Sequence, residues 1–165
     1  MAEIRLTNHD PNAAHITMII MGGKWVFTFD FRYNTDRIQQ VLKIGQEFLE
    51  CAKFSAEKSL WCSFIDNLFS ATELFVKGQL LLLPDKAMIN TKSHSCISSK
   101  YNWWSKQGNA STQHLGLLNE LSRLRTPARY LGQVQLKQDK ARQMLAIAQE
   151  MLVKLRADIP ERIHV

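Results

Sequence analysis

Apolar residues recur at intervals of three and four along most of the chain after residue 34, and this spacing constrains the fold most strongly. It places the apolar side chains on one face of each helix, and that face must be buried against other helices. The clearest run covers about residues 135–158 and consists of Ala141, Met144, Leu145, Ala148, Met151, Leu152 and Leu155. The spacing therefore predicts a mainly α protein built as a helical bundle.

Turn and capping residues divide this region into five predicted helices. Asn34 or Thr35 caps the first, over residues 35–54. Ser55 caps the second, and Pro84 ends it because a proline pushes the preceding residue out of helical geometry. The remaining three helices are predicted over residues 91–106, 111–125 and about 135–158.

A different pattern precedes the helices, because residues 15–33 have the two-residue period and the β-branched and aromatic residues of strands. Gly22-Gly23 supplies the positive φ angles of a tight turn, so the segment is predicted to be a β-hairpin. Two strands alone are marginally stable in water. We therefore expect their aromatic face to be buried as core, against a helical layer or a second subunit. That face carries Trp25, Phe27, Phe29, Phe31 and Tyr33.

Length and charge set the broad class of the protein. A chain of 165 residues without a linker or repeat is expected to be a single domain over residues 1–165. Its net charge of +6 permits an anionic partner such as RNA, DNA or a nucleotide. Three widely spaced cysteines, the lack of a signal-like start and the lack of a bilayer-length apolar run predict a cytoplasmic protein without membrane association. No phosphate loop or metal-ligand spacing is found, so neither a cofactor nor a metal is expected.

Positive charge is concentrated where the fourth predicted helix meets Pro127. Three arginines lie there, Arg123, Arg125 and Arg129, and Tyr130 follows the last of them. Proline either kinks a continuing helix or starts a new one after a Thr126 cap. If the helix continues, one polar stripe carries Asn119, Ser122, Arg125 and Arg129. Guanidinium groups match phosphate, but the same cations also suit the C-terminal end of a helix, and both interpretations stay open.

Three stretches give residues 56–159 a resemblance to the HEPN superfamily of small helical-bundle domains. They are Phe-Ser-Ala-Thr-Glu-Leu-Phe-Val-Lys-Gly-Gln-Leu-Leu at 69–81, Thr-Lys-Ser-His at 91–94 and Leu-Arg-Thr-Pro-Ala-Arg-Tyr at 124–130. The resemblance implies a HEPN-like four- to five-helix bundle, here preceded by a β-hairpin. It also implies a homodimer in which the arginine motifs face each other. Members of the superfamily include metal-independent ribonucleases with an Arg-x(4–6)-His pair, non-catalytic binding modules and partners of nucleotidyltransferases.

The ribonuclease pattern fails here at its histidine. Counted from Arg123 or Arg125, the histidine positions hold Ala128, Arg129, Tyr130, Leu131 and Gly132. A metal-free ribonuclease needs a proton acceptor as well as a cation, and tyrosine is a poor acceptor. The sequence therefore favours a non-catalytic module that binds RNA or a nucleotide in an arginine-rich groove. The candidate ligand-binding residues are Asn119, Arg123, Arg125, Arg129, Tyr130 and His94.

Two other functions stay open. An active metal-independent ribonuclease of toxin or defence type would use Arg125, Arg129 and Tyr130 in an altered site. A structural or adaptor protein would bind only protein partners. This third hypothesis predicts that the arginines pair with Glu73, Glu120 or other carboxylates, and that an apolar patch lies elsewhere.

Overall fold

The computed structural model describes residues 13–30, 34–132 and 134–159. The chain is mainly helical and begins with a two-stranded antiparallel hairpin, which confirms the predicted fold class. The strands are β1 (His15–Met21) and β2 (Lys24–Asp30). The helices are α1 (Thr35–Glu57), α2 (Trp61–Leu81), α3 (Lys86–Asn90), α4 (His94–Lys106), α5 (Thr112–Thr126) and α6 (Gln138–Asp158). A π-helical turn over Pro127–Leu131 follows α5 directly.

Helix α2 is the centre of the bundle and packs against α1, α4, α5 and α6. Its apolar residues are among the most deeply buried in the protein, including Phe64, Leu68 and Phe75. Two glycines allow the helices to approach closely. A Cβ atom at Gly45 would lie 2.7 Å from Cε1 of Phe75, and one at Gly78 would lie 2.5 Å from Cδ2 of Leu155. The core therefore depends on the absence of a side chain at these two positions.

Capping side chains fix where several helices begin. Ser93 accepts a hydrogen bond from the backbone N–H of Cys96, and Ser111 accepts one from the backbone N–H of Gln113 at the start of α5. Asn34 precedes α1 but makes no side-chain cap. Its Nδ2 instead donates a 2.9 Å hydrogen bond to the Leu81 carbonyl oxygen, which ties the start of α1 to the end of α2.

The prediction that Ser55 caps the second helix is wrong. Ser55 lies in the last turn of α1, where its hydroxyl donates to the Cys51 carbonyl oxygen at 2.8 Å. A serine hydroxyl can bond back to the preceding turn instead of capping the next helix, and the sequence does not distinguish the two. The break comes at Ser59, which has a left-handed φ of 54°, and α2 begins at Trp61. Helix α1 consequently runs to Glu57, beyond the predicted end at residue 54.

Three smaller differences affect the helices that follow the predicted break at Pro84. A short helix, α3, follows Pro84 where none was predicted, and Asp85 caps it by accepting a hydrogen bond from the Ala87 N–H. Helix α4 begins at His94, three residues after the predicted start, because Ser93 provides the cap. Helix α6 begins at Gln138, also three residues later than predicted.

The hairpin has the predicted turn at Gly22-Gly23, where both glycines have positive φ. Its register pairs Met18 with Phe27 and Ile20 with Trp25. Trp25 is 62% exposed and Phe27 57%, so the helical layer does not bury these two residues, and the alternative of burial by a second subunit stays a prediction. No helix in the described ranges packs broadly against the hairpin. Residues 31–33 of the predicted hairpin lie outside the described residues.

Candidate functional site

Pro127 does not end the helical path after α5. The peptide N–H of Gly132 donates to the Pro127 carbonyl oxygen at 3.1 Å, and this five-residue spacing defines the π-helical turn. Thr126 makes no side-chain cap, so the helix continues and does not restart. Gly132 then ends the turn with a φ of 62°. The turn carries Arg129 onto the same side of the bundle as Arg125.

Arg125 and Arg129 share one carboxylate, that of Asp66 on α2. Arg129 donates from Nε to Oδ1 at 2.6 Å and from Nη2 to Oδ2 at 3.0 Å. Arg125 donates from Nε to Oδ1 at 3.2 Å. Two guanidinium groups therefore face one carboxylate, and the cluster of Arg125, Arg129 and Asp66 keeps an excess positive charge. We call these three residues the arginine cluster.

The arginine cluster shifts the pKa of its own members. Partial burial raises the pKa of Asp66, but the hydrogen bonds and charges of Arg129 and Arg125 together outweigh it and lower the pKa below its ordinary value. The hydrogen bond to Asp66 raises the pKa of Arg129. Both groups are therefore ionised near neutral pH.

Phe69, one turn after Asp66 on α2, connects the cluster to His94. The Arg125 guanidinium carbon lies 4.5 Å from the centre of the Phe69 ring, which is a cation–π distance. The His94 ring meets Phe69 edge to face with centroids 5.6 Å apart. Phe69 thus holds the guanidinium of Arg125 and the imidazole of His94 on one surface.

His94 is paired with Glu73 of α2. Its Nδ1 lies 2.6 Å from a carboxylate oxygen of Glu73, whose side chain is largely buried while that of His94 is exposed. A carboxylate at one ring nitrogen fixes the orientation of an imidazole and leaves the other nitrogen for a ligand or a proton.

A polar pocket of about 410 Å³ opens beside this pair, between α2, α4 and α5. Hydroxyl groups dominate its polar lining, and they come from the first turns of α4 and from the stripe of α5 that also carries Arg125. The lining residues are Phe69, Glu73, His94, Ser95, Ser98, Ser99, Leu118 and Ser122. Hydroxyls, an imidazole and a neighbouring guanidinium are groups that hydrogen-bond phosphate and ribose oxygens.

The other predicted site residues lie outside the pocket lining. Asn119 is one turn before Ser122 on α5, and its Nδ2 is 3.5 Å from Oδ1 of Asn102. Arg123 is exposed, and Tyr130 is 76% exposed beside Arg129. The structure therefore brings together Arg125, Arg129 and His94, while Arg123 and Tyr130 face solvent.

The family model of the HEPN domain matches residues 38–157, which is most of the chain. The chain belongs to the HEPN family. This confirms the suspected resemblance, and the matched range includes most of α1 as well as the later helices. No curated protein matches the chain.

Ribonucleases that resemble this chain have a histidine in the arginine motif. In this HEPN domain, no histidine stands in the π-helical turn over Pro127–Leu131. Position 130 holds Tyr130, which faces solvent, and Arg129 is bound to Asp66. Of the described residues, His94 brings an imidazole to the same surface from α4, where it is paired with Glu73.

Three residues of α2 adjoin the candidate site through contacts that the sequence did not predict: Asp66, Phe69 and Glu73. They stand at spacings of three and four, so they share one face of α2. Two carboxylates on one face of an otherwise apolar helix are a signal that a polar site lies there. Glu73 was considered as a partner of the arginines, but it binds His94, and Asp66 takes the arginines.

Among the described residues, no helix is long and apolar enough to cross a membrane. The same residues contain no group of three or more histidine, cysteine, aspartate and glutamate side chains placed to hold a metal ion.

Proposed function

We propose that this HEPN domain is a non-catalytic binding module for RNA or a nucleotide. A phosphate group binds at Arg125 and Arg129, and the adjoining ribose or base enters the serine-lined pocket. One observation carries the proposal: two guanidinium groups anchored on a single carboxylate stand next to a polar pocket of about 410 Å³. The proposal includes a cytoplasmic protein that acts as a homodimer.

The charge of the cluster supports phosphate binding. Asp66 carries one negative charge and the two arginines carry two positive charges, so pairing does not neutralise the cluster. Arg125 uses only Nε for Asp66, which leaves both terminal NH₂ groups for a ligand. The carboxylate also orders two long side chains before the ligand arrives, which lowers the entropic cost of binding.

The pocket supports a ligand larger than a lone phosphate. Its volume lies within the range of roughly 300–1,000 Å³ that is usual for small-molecule sites. Four serine hydroxyls line it, and a hydroxyl can donate or accept a hydrogen bond. Such a lining suits sugar and base edges without demanding one base.

Fluorescence anisotropy with a labelled RNA oligonucleotide and with a labelled nucleotide tests this proposal. Arg125→Ala should weaken binding by at least about tenfold, because charge-assisted hydrogen bonds to phosphate are worth roughly 1.5–3 kcal/mol. Arg142→Ala is the matched control, since Arg142 is an exposed arginine on α6 that is paired with nearby Asp139 and lies outside the arginine cluster. Equal losses in the two variants, or no binding by the wild type, would contradict the proposal.

The Glu73–His94 pair favours a second function, that of a metal-independent ribonuclease. In that reaction the free Nε2 of His94 takes the proton of a ribose 2′-hydroxyl, and the 2′-oxygen attacks phosphorus. A 2′,3′-cyclic phosphate forms as the P–O5′ bond breaks, the leaving 5′-oxygen takes a proton from water, and Arg125 stabilises the charge on the phosphorane oxygens. Cleavage of RNA that persists in EDTA and disappears in His94→Ala and Arg125→Ala would establish this function in place of the first.

The adaptor alternative has two supporting features. Arg125 and Arg129 are paired with a carboxylate, and the hairpin exposes apolar side chains. It predicts that the purified protein neither binds nor cleaves RNA and does not bind nucleotides. The binding and cleavage measurements above therefore separate all three functions.

A further inference from the structure

The β-hairpin exposes one continuous apolar surface, which we call the hairpin face: Ile16, Met18, Ile20, Trp25 and Phe27. Each of these side chains is between 57% and 63% exposed. The strand register sets Met18 opposite Phe27 and Ile20 opposite Trp25, so the five side chains adjoin one another. None of them is charged, and no described helix covers them broadly.

We propose that the hairpin face is the contact between two copies of this chain, which pack hairpin against hairpin about a twofold axis. This inference rests on the homodimer of the proposed function and locates its contact, but it does not depend on what binds at the arginine cluster. A twofold contact requires a surface that is complementary to itself. An uncharged apolar face meets this condition, because no like charges are brought together when it packs on its own copy.

The area of the hairpin face is sufficient for such a contact. Aromatic side chains bury about 150–250 Å² each, and with values at the lower end of that range for the three aliphatic side chains, the five together present on the order of 500 Å² per copy at their observed exposure. Two copies would then remove on the order of 1,000 Å² from water, which is about the lower limit for a specific interface. Flanking residues of the hairpin add to this area.

The stability of the hairpin itself favours a second copy over an occasional partner. A two-stranded sheet is marginal in water unless one face is covered. The described helices leave this face open, and a second copy is present whenever the chain is.

The shape of the hairpin argues against a membrane surface as the occupant. Its turn consists of Gly22-Gly23, which has no side chains to insert, followed by the exposed Lys24. The apolar residues lie along the strands instead, and unpaired strand edges are costly in lipid.

Sedimentation velocity of the full chain over a concentration series tests the proposal. The wild type should dimerise, and Phe27→Lys and Phe27→Glu should each raise the dimer Kd by at least about 100-fold, because like charges would meet in the contact. An equimolar mixture of the two variants should dimerise again, since opposite charges then meet. Thr17→Glu, on the opposite face of the hairpin, should leave the dimer intact, and circular dichroism should show unchanged helix content in all variants.

Three results would overturn the proposal. The first is a wild type that remains monomeric throughout the series; if that monomer sediments with anionic phospholipid vesicles, the face is assigned to a membrane. A Phe27 variant that dimerises like the wild type would place the dimer contact elsewhere. A mixture of the two variants that stays monomeric would show that the hairpin face does not meet itself.

Discussion

At the scale of single residues, Asp66 determines how the arginines are presented. The sequence singles out Arg125 and Arg129 by their local density of charge, but their partner lies 59 and 63 residues away. Such a distance in sequence cannot be bridged without the packing of α5 on α2. The arginines were therefore predictable from sequence and their shared carboxylate was not.

Asp66 gives a test by pH. Its pKa is lower in the folded chain than the value of about 3.9 for an unfolded aspartate, so the ionised form stabilises the folded state. That contribution is fully present above about pH 4 and is lost as the pH falls through the lowered pKa. Wild type should thus exceed Asp66→Asn in Tm at pH 6, with the difference shrinking as the pH drops toward 3. A difference independent of pH, measured by circular dichroism, would refute this role.

His114 gives a second test in a different pH window. It is buried on α5 with Nδ1 unpaired, and burial together with the charge of Lys154 lowers its pKa. The folded chain therefore resists protonation of His114, whereas the unfolded chain accepts a proton near pH 6.5. Stability should fall as the pH drops below about 6.5, and His114→Phe should reduce that fall. Urea midpoints at pH 7.5 and 5.5 measure it, and an equal fall in wild type and variant would contradict the assignment.

At the scale of helices and strands, sequence reasoning succeeded where the signal is local. The apolar spacing located five of the helices, and the predicted helix over residues 111–125 matches α5 to within one residue at each end. Predicted helix boundaries were wrong where a side chain can either cap the next helix or bond back to its own helix. Ser55 is an example, because its hydroxyl donates to the Cys51 carbonyl oxygen. The exposure of Trp25 and Phe27 depends on where the hairpin lies relative to the bundle, which strand periodicity does not encode.

Helix packing is tested by a pair of glycine substitutions. At Gly45 an added Cβ would meet the buried Phe75 ring, so Gly45→Ala should destabilise the fold by about 1–2 kcal/mol despite the better helix propensity of alanine. Gly116 on α5 has open space around it, so Gly116→Ala should stabilise the fold by roughly 0.5–1 kcal/mol. Chemical denaturation of both variants decides the point. Equal effects in the two would show that close packing at Gly45 is unimportant.

At the scale of the whole molecule, the protein presents two surfaces with different chemistry. The arginine cluster and its pocket lie between α2, α4 and α5, while the hairpin face is apolar and uncharged. A net charge of +6 is a property of the entire chain and indicated an anionic partner without locating it. The HEPN family match accounts for the helical fold. Whether the protein binds RNA, cleaves RNA or binds only proteins depends on the side chains that lie around α2.

The most direct test of the central claim is the salt dependence of RNA affinity for wild type and Arg125→Ala. A phosphate bound by Arg125 releases counterions, so log K should fall with log salt concentration for the wild type. The slope for Arg125→Ala should be smaller in magnitude by about one, and that for Arg142→Ala should change less. This result would support phosphate binding at the arginine cluster. Identical slopes for wild type and Arg125→Ala would contradict it.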